Sequence, residues 1–372
     1  MRSVDEVLAA ASAALSVALA APRDLGGNEQ STVLRCLLPD GGSVIVKTYE
    51  DSGQGRECFA AEAAGLELTA ANGFGPRLLA ATACLVVMTD LGTAPSLADV
   101  LLGGSAVAAE AALLGWARAC GELALATAGR RADLGRLLAV HRAGYAGGPP
   151  GHWLRRRLGE IPALLASLSV PAPRGLGREL AEVVSILDED RYDVFSPGDI
   201  CPDNNLLTPG GVRFVDYERA GFHSAFLDAA YLRMPFSTCW CVFRLPDGVR
   251  RRAERGYRDL VSQVHPDLAR DAVWLPGLRL AVAAWTLHAM TYLLDRALMA
   301  DMSMTDDGRA APTKRQLLRY RWRRLIAELE PTRPGEPEFP ALRALAARLL
   351  ARTEHWQVAD LPAYPAFRDI ST

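Results

Sequence analysis

The stretch FSPGDICPDNNLL, Phe195 to Leu207, is followed closely by GGVRFVDYE, Gly210 to Glu218. Asp, Asn, Gly and Pro are ordinary turn formers, so each piece taken alone reads as a surface turn. Together they say more. Asp199 stands behind a Ser-Pro break, Asn204 follows after four intervening residues, and Asp216 ends the β-rich run VRFV. A loop carboxylate, a loop amide and a second carboxylate beyond a short strand place a proton acceptor beside two hard-oxygen ligands, with Asp199 and Asp216 flanking one hairpin.

The search for what these groups serve leads back to Lys47. Of the 41 Lys and Arg residues only Lys47 and Lys314 are lysine. In a chain that otherwise uses arginine, a lysine marks a place where a compact ammonium is wanted rather than a broad planar fork, as in a narrow phosphate site. Lys47 ends the apolar run VIVK. The alternative is a strand-edge lysine that discourages aggregation. Glu62 lies on the helical segment that follows, with Glu57 and Glu67 as competitors on the same segment; Glu62 is the preferred partner for the ammonium. Lys47, Glu62, Asp199, Asn204 and Asp216 are together the parts of a phosphoryl-transfer site. The ammonium steadies nucleotide phosphates, the helical carboxylate orients it, an aspartate receives the acceptor proton, and an amide and a carboxylate hold Mg²⁺.

These motifs resemble the aminoglycoside phosphotransferase and choline kinase family, which has a protein-kinase-like fold. The catalytic loop of that family reads His-Gly-Asp, four residues, then Asn; Pro197-Gly198-Asp199 to Asn204 matches it except at the His. Its metal segment, Asp-x-Glu after an apolar strand, matches Asp216-Tyr217-Glu218. The similarity runs in order from about Gly26 to Leu232. It implies an α+β, bilobal chain: a small β-rich nucleotide-binding lobe over residues 1–91 and a large, mainly helical catalytic and acceptor-binding lobe over 92–372. It further implies Asp199 as the catalytic residue, Asn204 and Asp216 as metal ligands, and ATP with Mg²⁺ as cofactors. Lys47, Glu62, Gly26, Gly27 and Ser31 would serve the phosphates, and Met88 and Asp90 belong to the inter-lobe hinge from Val86 to Gly92. Pro197, where the family has a His that hydrogen-bonds backbone near the metal aspartate, motivates a second reading: a nucleotide-binding pseudokinase with a scaffolding or regulatory role. A third is a helical interaction protein whose basic helix around Arg315 to Arg324 binds an acidic partner.

Periodicity is consistent with this layout. A helix over the N-terminal segment would place Val4, Leu8, Ala11, Leu15 and Leu19 on one face, and Asp5 and Glu6 argue against a secretory leader. DLGGNEQ reads as a Gly-rich turn, and STVLRCLL and SVIVKTYE as a hairpin joined at Pro39 to Gly42. Helix is expected from Ser96 to about Ala143, as one helix over WLRRRLGEIPALLASL with Arg155 to Arg157 solvated, and through most of the chain beyond Ala229. PTRPGEPEFP reads as a loop before a last helix. Asp228 is given a structural part, and His141, His223 and His288 lack metal-like spacing.

Composition bounds the partners. Half the residues are hydrophobic, mean hydropathy is +0.07, and the net charge of −2 offers no electrostatic ground for nucleic acid or an anionic membrane. No apolar run reaches the roughly 20 residues of a membrane span. Seven cysteines without CxxC pairs fit a reducing cytoplasm. From Ala229 onward 22 basic residues face 16 acidic ones, which lowers a polycationic acceptor relative to a neutral or anionic hydroxyl compound.

Overall fold

The computed structural model describes residues 3–28, 31–82, 84–143, 153–187, 190–236, 238–306, 308–331 and 338–368. The chain begins with helix α1 (Val4–Leu15), whose capping box joins Ser3 and Glu6. It continues through β1 (Ala20–Asn28), β2 (Ser31–Leu37), β3 (Ser43–Tyr49), α2 (Gly53–Thr69), β4 (Leu78–Thr82) and β5 (Leu85–Thr89). The five strands form one antiparallel sheet in the order β1-β2-β3-β5-β4. Helices α3 (Leu97–Leu101), α4 (Ala106–Ala126), α5 (Arg131–His141), α6 (Trp153–Gly159), α7 (Ile161–Ser167) and α8 (Leu176–Ser185) follow. Then come the short strands β6 (Asp193–Ser196), β7 (Asn205–Thr208), β8 (Gly211–Phe214) and β9 (Gly221–Ser224), and helices α9 (Ala225–Arg233), α10 (Asp247–Val264), α11 (Asp271–Met299), α12 (Lys314–Glu328) and α13 (Pro340–Arg352).

Two compact units emerge. The first comprises Met1–Leu97, Glu122–Pro150 and Phe195–Phe222; the second comprises Ala98–Gly121, Gly151–Val194 and His223–Thr372. In the first, period-2 alternation splits the sheet into two faces. Leu34, Cys36, Val44, Val46, Leu85 and Val87 form one core with Val7 and Ala11 of α1. The helix thus packs by Val7 and Ala11, with Leu8 and Leu15 partly buried, while Val4 is 45% exposed and Leu19 joins the core from beyond the helix. Four of the five residues expected on the apolar face, Leu8, Ala11, Leu15 and Leu19, pack there, and Val7 takes the place of Val4. The Gly-rich "turn" is likewise mostly strand: β1 runs through Gly26 and Gly27, which oppose Val33 and Thr32. Its bulged, Pro- and Gly-containing sequence carries none of the alternation that marks a strand. The tip of this hairpin, residues 29–30, lies outside the described residues.

In the second unit the long α11 packs against α6, α8, α9 and α12, with Trp274, Trp285, Leu287 and Leu294 buried. Arg233 forms a bidentate pair with Glu254 at 2.9 Å and reaches Glu328 at 2.5 Å. Glu179 accepts from Ala341 and Leu342 N–H at the start of α13, where free backbone donors favour a carboxylate. The single helix expected over residues 153–168 is two, α6 and α7, because Pro162 has no N–H to continue the first and suits the opening turn of the second. The loop expected over residues 331–340 lies largely outside the described residues. No helix among the described residues is long and apolar enough to cross a membrane.

Candidate active site

Lys47 sits in the middle of the sheet. It opposes Val33 on β2 and Val86 on β5, so β3 is not an edge and the edge-lysine reading falls. Its face is the one away from α1, shared with Ile45 and Tyr49. At 5% exposure an ammonium is stable only with counter-charge. Three carboxylates supply it: Glu62 Oε2 at 3.0 Å, Asp216 Oδ1 at 2.8 Å and Glu218 Oε2 at 3.1 Å. Burial pulls the lysine's pKa down, but Glu62, Asp216 and Glu218 overcome it and hold it well above the usual value.

Of the three glutamates on α2, tertiary packing separates the roles. Glu57 pairs with Arg142 and Glu67 with His141, while Glu62 is fully buried at Lys47. Glu62 Oε2 accepts from Lys47 Nζ, from Tyr49 OH at 2.8 Å and from Tyr217 N–H at 3.3 Å. Burial pushes the Glu62 pKa up to about 7 against the pull of Lys47. Gly65, one turn further on, permits this closeness: a Cβ there would lie 2.7 Å from Ala220 Cβ and 2.9 Å from the Tyr217 ring.

The Asp199 loop is built by backbone constraint. Gly198 has φ +88°, and a Cβ on it would lie 2.2 Å from Arg219 O, so only glycine lets the loop lie against the segment after Asp216. Gly198 N–H donates to Ser196 Oγ at 3.2 Å, and Pro197 before it is buried. Asp199 is half-buried. Asn204 Nδ2 donates to Asp199 O at 3.1 Å. Strands β7 and β8 then make the expected hairpin, with Asn205 opposite Phe214 and Val215 N–H donating to Asn204 O at 3.1 Å. Asn204 and Asp216 therefore stand at the open end of one hairpin, each just outside its ladder.

The remaining sequence-derived candidates are placed as follows. Ser31 is buried, and its Oγ has no hydrogen-bond partner among the described residues. Met88 is buried opposite Ile45. The Asp90 carboxylate is engaged by Arg35 at 2.6 Å, Ser43 Oγ at 2.6 Å and Gly92 N–H at 2.8 Å. Burial raises its pKa, but these donors outweigh burial and set it below the usual value. Its side chain ties the segment after β5 to β2 and β3, so the carboxylate is already engaged. In the second unit Asp228 pairs with His223 at 2.8 Å, and Arg309 lies 3.7 Å over the Trp240 ring.

Two members escaped the sequence. Glu218, quoted in the Asp-x-Glu segment but given no role, is a direct partner of Lys47. Tyr49, two residues beyond Lys47 on the same strand face, anchors Glu62 and places its ring 5.2 Å from Nζ. The strand period pointed to Tyr49; nothing local said that its hydroxyl meets Glu62.

One ammonium meets three carboxylates, and Asp216, the most exposed of the three, opens to solvent, so negative charge gathers at that surface. That charge, with hard oxygens on Asp216, Glu218 and Asn204, fits a divalent cation such as Mg²⁺.

An antiparallel five-stranded sheet with a central buried lysine, paired to a helical glutamate and followed by a mainly helical remainder, defines a protein-kinase-like α+β fold. The solved structures it resembles include the ethanolamine kinase of Plasmodium vivax, at 13% identity over 87% of this chain and 84% of that one, with a TM-score of 0.51. They also include a choline kinase from Cryptosporidium parvum Iowa II, at 12% identity over 82% and 88%, with a TM-score of 0.50. At such identities the likeness is one of fold. No protein-family model matches the sequence, and no curated protein does.

Proposed function

We propose that the protein transfers the γ-phosphoryl group of ATP to a hydroxyl of a small molecule. The observation that carries the reading is Lys47: a central-strand ammonium held at 3.0 Å by the buried Glu62 and at 2.8 Å by Asp216. A purely structural lysine needs one counter-charge, whereas this one is over-supplied, as expected where polyphosphate and a cation complete the balance. Lys47 would bind the phosphates, with Glu62 and Tyr49 fixing its direction, and Ser31, Gly26 and Gly27 would lie at the covering hairpin. Adenine would lie against the Val86 to Leu91 backbone. Asn204 and Asp216, with Glu218 beside them, would hold Mg²⁺, which neutralises phosphate charge when bound. Asp199 would orient the acceptor hydroxyl and take its proton on the carboxylate.

The seven cysteines are thiols rather than disulfides, a state that a reducing, cytoplasmic setting would keep. The basic excess from Ala229 onward disfavours a polycationic acceptor. Choline and ethanolamine enter the acceptor set because the two structures above bear those names. The test is calorimetric titration with Mg·ATP, then a screen of hydroxyl compounds for phosphorylated product. A protein that binds no Mg·ATP would sink the proposal. One that binds it but transfers phosphate to neither acceptor nor water favours the pseudokinase reading that Pro197 motivates.

A further inference from the structure

Asn205 opens β7 and is fully buried. Its place lies between the catalytic loop and the apolar Leu206-Leu207, where an aliphatic side chain would fill the core as well. A buried amide persists only where its donors are met. Here they are met by the loop itself. Asn205 Nδ2 donates to Ile200 O at 3.1 Å and to Cys201 O. The preceding Asn204 Nδ2 donates to Asp199 O at 3.1 Å, and its backbone N–H to Cys201 O at 2.9 Å. Three successive carbonyls, of Asp199, Ile200 and Cys201, are thus gathered onto the amides of two successive asparagines. At the other end of the loop Pro197 offers neither an N–H nor a side-chain donor.

We propose that Asn205 is a positioning residue for Asp199: its buried amide holds the Ile200 and Cys201 carbonyls and through them the direction of the Asp199 carboxylate. That work replaces what a donor at position 197 would do. The inference rests on the phosphotransferase reading. Stability by itself is an incomplete account of the residue: leucine would leave the Ile200 carbonyl without the amide, but it would also remove Asn205 Oδ1, which is buried without a hydrogen-bond partner among the described residues, and the two costs offset. A residue kept for function rather than stability lowers turnover on replacement with little change in melting temperature.

The full chain and its Asn205→Leu variant are compared by melting temperature, Mg·ATP affinity, turnover, and amide hydrogen exchange of residues 198–204 in nucleotide-free, metal-free protein. Asn205→Leu is expected to melt close to the parent, as the unmet Oδ1 it removes offsets the carbonyl it leaves unmet, and to bind Mg·ATP within about threefold of the parent, since Lys47 is untouched. Its loop exchange should be faster by about tenfold and its turnover lower by about tenfold to thirtyfold, the effect of two lost hydrogen bonds. Unchanged exchange and turnover, or a lower melting temperature with affinity and turnover falling together, would overturn the proposal. Asn205→Ser, too short to reach either carbonyl, is run beside it so that a misfolded leucine variant leaves the comparison intact. A parent without Mg·ATP binding or turnover would defeat the phosphotransferase reading, while the exchange comparison would still decide whether Asn205 holds the loop.

Discussion

Replacing Lys47 by methionine keeps the length of the side chain and removes the positive charge that Glu62, Asp216 and Glu218 share. Asp216 and Glu218 retain some access to water, but Glu62 has none. Breaking a buried pair typically costs roughly 3–5 kcal/mol, a large share of a total stability of about 5–15 kcal/mol. The cost depends on pH in a definite direction. Even beside Lys47, Glu62 has its pKa pushed from 4.5 up to about 7 by burial. A carboxyl raised on folding contributes stability that is present below its unfolded pKa and lost as pH rises through its folded one. Without the ammonium the folded value rises further. The carboxylate is then relieved by taking up a proton, at about 1.4 kcal/mol per pH unit below that value. Lys47→Met should therefore fall short of the parent by several kcal/mol at pH 8 and by distinctly less at pH 5.5, as read from denaturant unfolding at the two pH values. Mg·ATP affinity, measured by calorimetry on folded protein, should drop by about tenfold to a hundredfold, the worth of a charged hydrogen bond. Lys47→Arg should not recover it, because the planar fork is too broad for the enclosure. A deficit equal at both pH values, or none at all, would refute the view that Lys47 compensates a buried Glu62.

Asp216→Ala should lose turnover by orders of magnitude and abolish the Mg²⁺ dependence of ATP binding in a calorimetric metal titration. Asp199→Asn should lower turnover by roughly 10²–10⁴-fold while leaving Mg·ATP affinity nearly intact, whereas Pro197→His should change turnover only modestly. Steady-state assays of the three proteins would reverse this if the parent matched Asp199→Asn and Pro197→His gained activity. Gly198→Ala should destabilise by at least about 1–2 kcal/mol from its positive φ alone. The 2.2 Å approach to Arg219 O adds loop displacement, so turnover should fall further than unfolding free energy accounts for.

Legibility followed the range of the cause. The Asp199 to Asn204 spacing, the β7–β8 hairpin and the VIVK strand were readable because each is local: a turn with its residue types, an apolar run, a period of two. Strand β1 was not. Ala20–Asn28 contains Pro22, Gly26 and Gly27 and pairs with two register shifts, so its strand character comes from β2 rather than from its own residues. On α1 the sequence named Leu8, Ala11, Leu15 and Leu19 but took Val4 where Val7 packs, for a related reason. Small alanines leave several faces nearly equivalent, and the choice of Val7 and Ala11 over Val4 is made by the sheet beneath.

The amino-acid sequence on its own determined which chemical groups are present and their order along the chain: an isolated lysine on an apolar strand, a carboxylate and an amide at fixed spacing in a loop, and a carboxylate after the next strand. Short-range sterics and periodicity suffice for that much. Only the tertiary structure decided that Glu62 rather than Glu57 or Glu67 meets Lys47, that Glu218 and Tyr49 join them, and that Asp90 spends its carboxylate on Arg35 and Ser43. These pairings cross up to 171 residues of chain, from Lys47 to Glu218. Their energies depend on burial, which no residue has until the sheet, α2 and the hairpin have closed around it.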